Sequence, residues 1–228
     1  MIKPKNFMAK VINKEWISEQ VVKVDFEIVD PNDFSFIPGQ HVNLKIDEKT
    51  VRPYSIYSNL KKSNEISIVV SAAHDGVGSN FLRNLKIDDQ INMMGPAGRL
   101  APNPENKENI VFLATGTGIV PFITMLHNFS QDGCESNIKL FFGVTDRAEI
   151  FFREELEELK KQLPSFDYKI CLSNPKQTWE DCLGYVTKAF EIDSTGNTQY
   201  YVCGVRAMVK DVTEKLKSEN VSDEDIIK

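Results

Sequence analysis

The chain is 228 residues long, 41% hydrophobic and 26% charged, with a formal net charge of −6. That size suits one large domain or two small ones with a real core. The acidic balance gives a nucleic-acid partner no electrostatic support, and no apolar run approaches the roughly 20 residues that a membrane-spanning helix needs.

The opening residues Met1-Ile2-Lys3-Pro4-Lys5 lack the apolar stretch of a signal peptide, so a cytoplasmic location is expected. The pattern up to about residue 103 then has period two. Val22, Val24, Phe26 and Ile28 alternate with charged residues, and Val42, Leu44 and Ile46, then Ile66, Ile68 and Val70, repeat the alternation. Asp30-Pro31-Asn32-Asp33, Pro38-Gly39 and Lys61-Lys62-Ser63-Asn64 separate these strands as turns. Half-buried strands in series predict a small antiparallel barrel.

Within that half, Arg52-Pro53-Tyr54-Ser55-Ile56-Tyr57-Ser58 carries chemistry. Alternate strand residues share a side, so Arg52, a fork of donors for a pyrophosphate, and Tyr54, a face for a flat ring, can meet one ligand. Strand parity does not place Ser55. Gly76-Val77-Gly78-Ser79 follows, with Ser79 as helix cap and a short helix at about Ser79–Leu85. Its first turn, like any helix start, offers unpaired N–H groups to an anion.

Polar, proline-broken residues 101–109 read as a linker, which places the domains at 1–103 and 104–228. The apolar run Ile110–Ala114 leads into Gly116-Thr117-Gly118-Ile119-Val120-Pro121 and then a helix-like stretch. Strand, glycine turn and helix start again present backbone N–H groups to a phosphate, with Pro121 suited to the first helical turn. Pro121 stands where the third glycine of G-x-G-x-x-G would be, so the usual dinucleotide fingerprint fails. Strand-length runs at Ile138–Val144, Tyr168–Leu172 and Gln199–Cys203 alternate with helical patterns at Arg153–Lys161 and Arg206–Glu219. That alternation predicts a doubly wound parallel sheet. The charge-rich 153–161 helix reads as a solvated face with i,i+4 pairs.

At Cys203-Gly204-Val205-Arg206-Ala207-Met208 a strand ends and a helix begins, where ligands of open α/β sheets bind. The Cys203 thiol there either faces a ligand or fills a small apolar site. Cys134, Cys171, Cys182 and Cys203 form no C-x-x-C pair, and His41, His74 and His127 are scattered, so no metal site is predicted. Reduced, mostly buried thiols are expected.

Taken in order, R-P-Y-S, G-V-G-S-N-F-L, G-P-A-G-R-L at Gly95–Leu100, G-T-G-I-V-P and C-G-V-R-A-M resemble the ferredoxin–NADP reductase superfamily from about Phe7 to the last helix. The resemblance implies a barrel that binds FAD and an α/β domain that binds NADH or NADPH. It assigns Arg52 to the FAD pyrophosphate, Tyr54 to the isoalloxazine and Ser55 to the neighbourhood of flavin N5. Gly76, Val77, Gly78 and Ser79 would hold the FAD pyrophosphate, and Gly116, Thr117, Gly118 and Pro121 that of NAD(P). Cys203 and Gly204 would flank the nicotinamide, while Thr145 and Ser173 would meet the adenosine ribose.

Ser55 and Cys203 are thereby the residues nearest the reacting atoms. Asn174 follows Ser173 where NADPH-preferring members commonly carry arginine, which favours NADH, with Arg147 or Lys176 as compensating cations. No terminal aromatic covers the flavin, and no iron–sulfur segment is present, so a separate acceptor is expected. The implied activity is hydride transfer from nicotinamide to flavin, then electron transfer to a ferredoxin or similar carrier. Lys61, Lys62 and Arg99 would gather near the flavin edge for an acidic ferredoxin. The alternatives are a free-flavin or quinone reductase and a non-catalytic electron-relay subunit.

Overall fold

The computed structural model describes residues 3–30, 34–57, 64–73, 75–102, 107–193 and 197–228. The expected turn at Pro31–Asp33, most of the Lys61 turn, Ser58, His74 and the 103/104 domain boundary lie outside them. The first half contains β1 (Lys5–Ser18), β2 (Val21–Asp30), β3 (His41–Lys45), β4 (Val51–Tyr57), β5 (Glu65–Ser71), α1 (Val77–Asn84) and β6 (Gln90–Ala97). The strands close into a barrel in the order β1-β2-β5-β4-β3-β6, all pairs antiparallel. Alternation fills it: Val22, Val24, Phe26 and Ile28 point inward with Val42, Leu44, Ile66 and Ile68.

Two barrel strands are harder to read. In β1 Phe7, Ala9 and Val11 alternate inward, but the register against β2 shifts at Met8/Ala9, Val11/Asn13 and Trp16/Ser18, and the alternation does not continue beyond Val11. β6 carries Gly95-Pro96, residues that ordinarily argue against a strand. The short helix begins earlier than Ser79. Gly76 takes the extended N-cap position and Val77 is the first helical residue. Ser79 is therefore inside the first turn, not the cap, and its hydroxyl donates to the Ser71 carbonyl (3.0 Å).

The second half contains β7 (Asn109–Thr115), a 3-10 turn (Gly116–Ile119), α2 (Val120–Asp132), β8 (Asn137–Val144), α3 (Arg153–Gln162), β9 (Phe166–Leu172), β10 (Cys182–Leu183), α4 (Val186–Ala189), β11 (Thr198–Cys203), α5 (Arg206–Ser218) and β12 (Ile226–Ile227). All strand pairs are parallel, in the order β10-β9-β8-β7-β11-β12. The order reverses between β7 and β11, the switch point where open α/β sheets bind ligands. Both faces are covered. Ile110, Phe112, Phe142 and Ile170 pack with α2 and α3, while Val111, Leu113, Phe141 and Tyr200 pack with α4 and α5. No helix among the described residues is long and apolar enough to cross a membrane.

The halves share apolar and polar contacts. Val21 and Val69 of the barrel belong to the same core cluster as α2 and β7. Thr124 in α2 donates its hydroxyl to the Ile56 carbonyl of β4 (2.9 Å). Tyr57 stacks on Phe152 (5.2 Å between centroids), and its hydroxyl donates to Glu155 Oε1 (2.9 Å). His127 Nε2 meets the same carboxylate oxygen. The solvated face predicted for α3 is thus corrected at Glu155, whose side chain is only 20% exposed. Its outer charges pair at i,i+3 rather than the expected i,i+4, Lys161 with Glu158.

Candidate functional site

A cavity of about 910 Å³ opens between barrel and sheet, lined from the barrel by Tyr54, Ser55 and Ser71 and from the sheet by Gly116, Thr117 and Cys203, among others. β4 has an open edge here. It pairs with β3 from Val51 to Ser55 but with β5 only at Ile56 and Tyr57, so the cavity enters beside Tyr54 and Ser55. That edge exposes both residues to one space, which strand parity could not foresee.

Around Tyr54 the packing is close. A Cβ on Gly78 would lie 2.4 Å from the Tyr54 hydroxyl and 3.4 Å from Arg52 Cγ, so β4 and the first turn of α1 touch through a bare backbone. Arg52 and Tyr54 therefore lie on the same side, as strand parity predicts. Burial raises the Tyr54 pKa, keeping the phenol neutral and a donor. Arg52 is exposed, with Nη1 donating to the Val51 carbonyl (2.9 Å). Its charge and the early amides of α1 form one positive cluster. Arg52, Gly76, Val77, Gly78 and Ser79 stand behind Tyr54 rather than on the cavity wall.

On the sheet side the strand tips stand in register. Thr115 is level with Gly143, Gly143 with Cys171, and Cys203 with Ala114. Two glycines here are sterically required. A Cβ on Gly118 would sit 2.3 Å from the Cys203 carbonyl oxygen, and one on Gly204 (φ +148°) would sit 2.2 Å from Thr115 Oγ1. The Thr115 hydroxyl also accepts from the Val205 N–H (3.0 Å), tying the tips of β7 and β11 together.

Gly116 differs. Its φ is +53° and nothing lies within 4 Å of a Cβ built on it, so its backbone borders open space in the cavity wall. Bare backbone facing space at a helix start is what a pyrophosphate requires. Pro121, expected at the same phosphate, is the second residue of α2 and buried. It fixes the helix start and does not line the cavity.

Thr145, Ser173, Cys203 and Gly204 all line the cavity. Burial pushes the Cys203 thiol up to about 11, so it stays protonated. Glu149, which no motif signalled, also lines it, and Glu149 Oε2 accepts from the Thr145 N–H (3.2 Å). Lys176, a candidate compensating cation, pairs with Asp146 (3.5 Å) and donates its backbone N–H to the same carboxylate (3.3 Å). Those backbone N–H groups, with that of Arg147 first, hold the Asp146 carboxyl below its usual range.

Gly184 and Tyr185, after β10, are further wall residues without a sequence signal. Only Cys171 of the four free cysteines is fully buried, so the expectation of mostly buried thiols is corrected: the ends of β10 and β11 leave two of them partly open. Arg99 is exposed, whereas Lys61 and Lys62 fall outside the described residues. Among the described residues no group of three or more His, Cys, Asp or Glu could hold a metal ion.

Barrel, switch point and intervening cavity define a two-domain dinucleotide-binding oxidoreductase. The profile of the oxidoreductase FAD-binding domain matches residues 8–101, and that of the oxidoreductase NAD-binding domain matches residues 112–214. The chain is 30% identical over 219 residues to the toluate 1,2-dioxygenase electron transfer component of Pseudomonas putida, covering 94% of this chain and 64% of that protein. It is 29% identical over 230 residues to ferredoxin–NADP reductase B of Sorangium cellulosum, covering 96% and 94% respectively. The crystal structure of Amycolatopsis cytochrome P450 reductase GcoB superposes with a TM-score of 0.87 at 22% identity, over 98% of this chain and 69% of that one. The chain belongs to the ferredoxin–NADP reductase superfamily, with FAD and a nicotinamide nucleotide as its cofactors.

Proposed function

We propose that the chain takes hydride from a reduced nicotinamide nucleotide, NADH in preference to NADPH, and passes electrons to a separate one-electron acceptor of the ferredoxin kind. The observation that carries this reading is one cavity lined at once by Tyr54 and Ser55 of the barrel and by Gly116, Thr117, Cys203 and Gly204 at the switch point. Bound FAD supplies the hydride acceptor and releases electrons one at a time.

The chain's own residues bind and align. Arg52 and the amides of Val77, Gly78 and Ser79 neutralise the FAD pyrophosphate, while Tyr54 packs on the flavin ring and Ser55 lies at its edge. Gly116, Thr117 and Gly118 present N–H groups to the second pyrophosphate, with Pro121 fixing the helix behind them. Thr145 and Ser173 meet the ribose. Cys203, neutral and small, and Gly204 leave room for the nicotinamide without a charge beside it. Productive transfer requires reacting atoms about 3–3.5 Å apart, and the buried contacts between barrel and sheet would hold the two walls that align them.

Three features support NADH. The Glu149 carboxylate faces the cavity, Asn174 is uncharged, and Lys176 is already held by Asp146. A 2′-phosphate would meet negative charge there, whereas a carboxylate suits a ribose hydroxyl. The relatives named as electron transfer component and ferredoxin reductase support a protein acceptor. Anaerobic addition of NADH to the FAD-loaded protein should bleach the flavin with no partner present, and NADPH should do so more slowly. An unbleached flavin with both nucleotides refutes the activity, and turnover with free flavin but no protein carrier refutes the acceptor.

A further inference from the structure

Cys171 and Cys182 are eleven positions apart in a chain with no cysteine motif, yet the fold sets them side by side. β10 runs parallel to β9 with Cys182 level with Cys171. Level residues on adjacent strands point to the same face, and their Cα atoms are about 4.8 Å apart, inside the range that a disulfide spans. Both side chains belong to one apolar cluster under α4 and α5. The thiols are free. Their exposure differs: Cys171 is fully buried, whereas Cys182 is partly open at the sheet edge.

We propose that Cys171 and Cys182 are a modification site: a reversible disulfide, formed by a peroxide, that stiffens the wall at the nucleotide end of the cavity. Hydrogen peroxide oxidises Cys182, the accessible thiol, to a sulfenic acid with release of water. The Cys171 sulfur then attacks the Cys182 sulfur, the S–O bond breaks, and hydroxide leaves as a second water with the Cys171 proton. Two thiols and one peroxide thus yield one disulfide and two waters. Burial raises the Cys171 pKa, so this thiol stays protonated and reduced until its neighbour is oxidised.

The location gives the bond a consequence. The ring it closes contains Ser173 and Asn174, and Cys171, Gly184 and Tyr185 all line the cavity. β10 is two residues long, and its continuation is held to β9 by the Gly184 N–H donating to the Leu172 carbonyl (2.8 Å). The strands already stand at a spacing the bond accepts, so it locks β10 to β9 without drawing them together, and Gly184 and Tyr185, two and three residues beyond Cys182, lose the freedom to yield to an entering nucleotide. This effect on binding rests on the function proposed above; the bond itself does not.

The FAD-loaded protein should be titrated with hydrogen peroxide, alkylated, digested without reductant and analysed by mass spectrometry, with NAD+ affinity measured by calorimetry on the same samples. The expected product is one peptide pair joined through Cys171 and Cys182 and released by dithiothreitol, accompanied by severalfold weaker NAD+ binding. Cys182→Ser should give no cross-link and keep its NAD+ affinity through peroxide treatment, which separates this bond from oxidation of Cys203. Recovery of Cys171 and Cys182 only as separate alkylated or over-oxidised peptides overturns the proposal, as does a cross-linked protein with unchanged NAD+ affinity. Reduced protein that binds no NAD+ refutes the nucleotide site instead, while the peptide map still decides the bond.

Discussion

Gly204 shows how little freedom the switch point has. With its φ of +148°, and only 2.2 Å between an added Cβ and Thr115 Oγ1, any side chain strains the backbone and breaks the Thr115–Val205 hydrogen bond. Gly204→Ala is expected to lower stability by about 2–3 kcal/mol, measured by urea unfolding, and to weaken nucleotide binding with it. Glu149 acts by charge rather than shape. Glu149→Gln should raise kcat/KM for NADPH relative to NADH by about tenfold, or ~1.4 kcal/mol, because a 2′-phosphate no longer faces a carboxylate. A ratio that does not move would remove Glu149 from nucleotide selection. The two residues also differ in what sequence reveals. Gly204 sits in a strand-glycine-helix motif, whereas Glu149 is one acid among many and gains meaning only from the fold that turns it toward the cavity.

Elements were legible where one period runs unbroken. β2 and β3 alternate, β5 does so through Ile66, Ile68 and Val70, and β7, β11 and the second halves of β8 and β9 are apolar runs because both faces of their sheet are covered. β1 was hidden by its register shifts and β6 by Gly95-Pro96, while β10, α4 and β12 are too short to show a period. The same limit hid Gly184 and Tyr185 as wall residues. The junction was invisible for another reason: Tyr57, His127 and Glu155 come from β4, α2 and α3, and nothing local marks them as neighbours. Burial and the Glu155 carboxylate both raise the Tyr57 pKa, so its hydroxyl remains the donor. Tyr57→Phe keeps the stack on Phe152 but removes that donor, with an expected loss of about 1–2 kcal/mol by urea unfolding. Glu155→Gln should cost less when added to Tyr57→Phe than when made alone, since the shared bond is already gone.

For the molecule as a whole, burial raises the pKa of Tyr54, Tyr57, Tyr200, Cys171 and Cys203 together. An acid with a raised folded pKa keeps its proton when the unfolded chain has released it. Stability is therefore full below the unfolded value and falls as pH rises. For Cys203 the window runs from an ordinary value of 9.0 to about 11, a loss of at most about 2–3 kcal/mol. Denaturant midpoints between pH 8 and pH 11 should fall steadily, and Cys203→Ala should flatten part of the slope. Midpoints that hold constant would contradict this burial pattern. Val21 and Val69 reach out of the barrel and end among the side chains of α2 and β7. Separated, each half would carry a raw greasy scar, so the two are poor candidates for independent expression or for grafting onto foreign counterparts. Their mutual angle is inherited from that buried seam, and evolution can retune one ring's position only by recarving both sides of it.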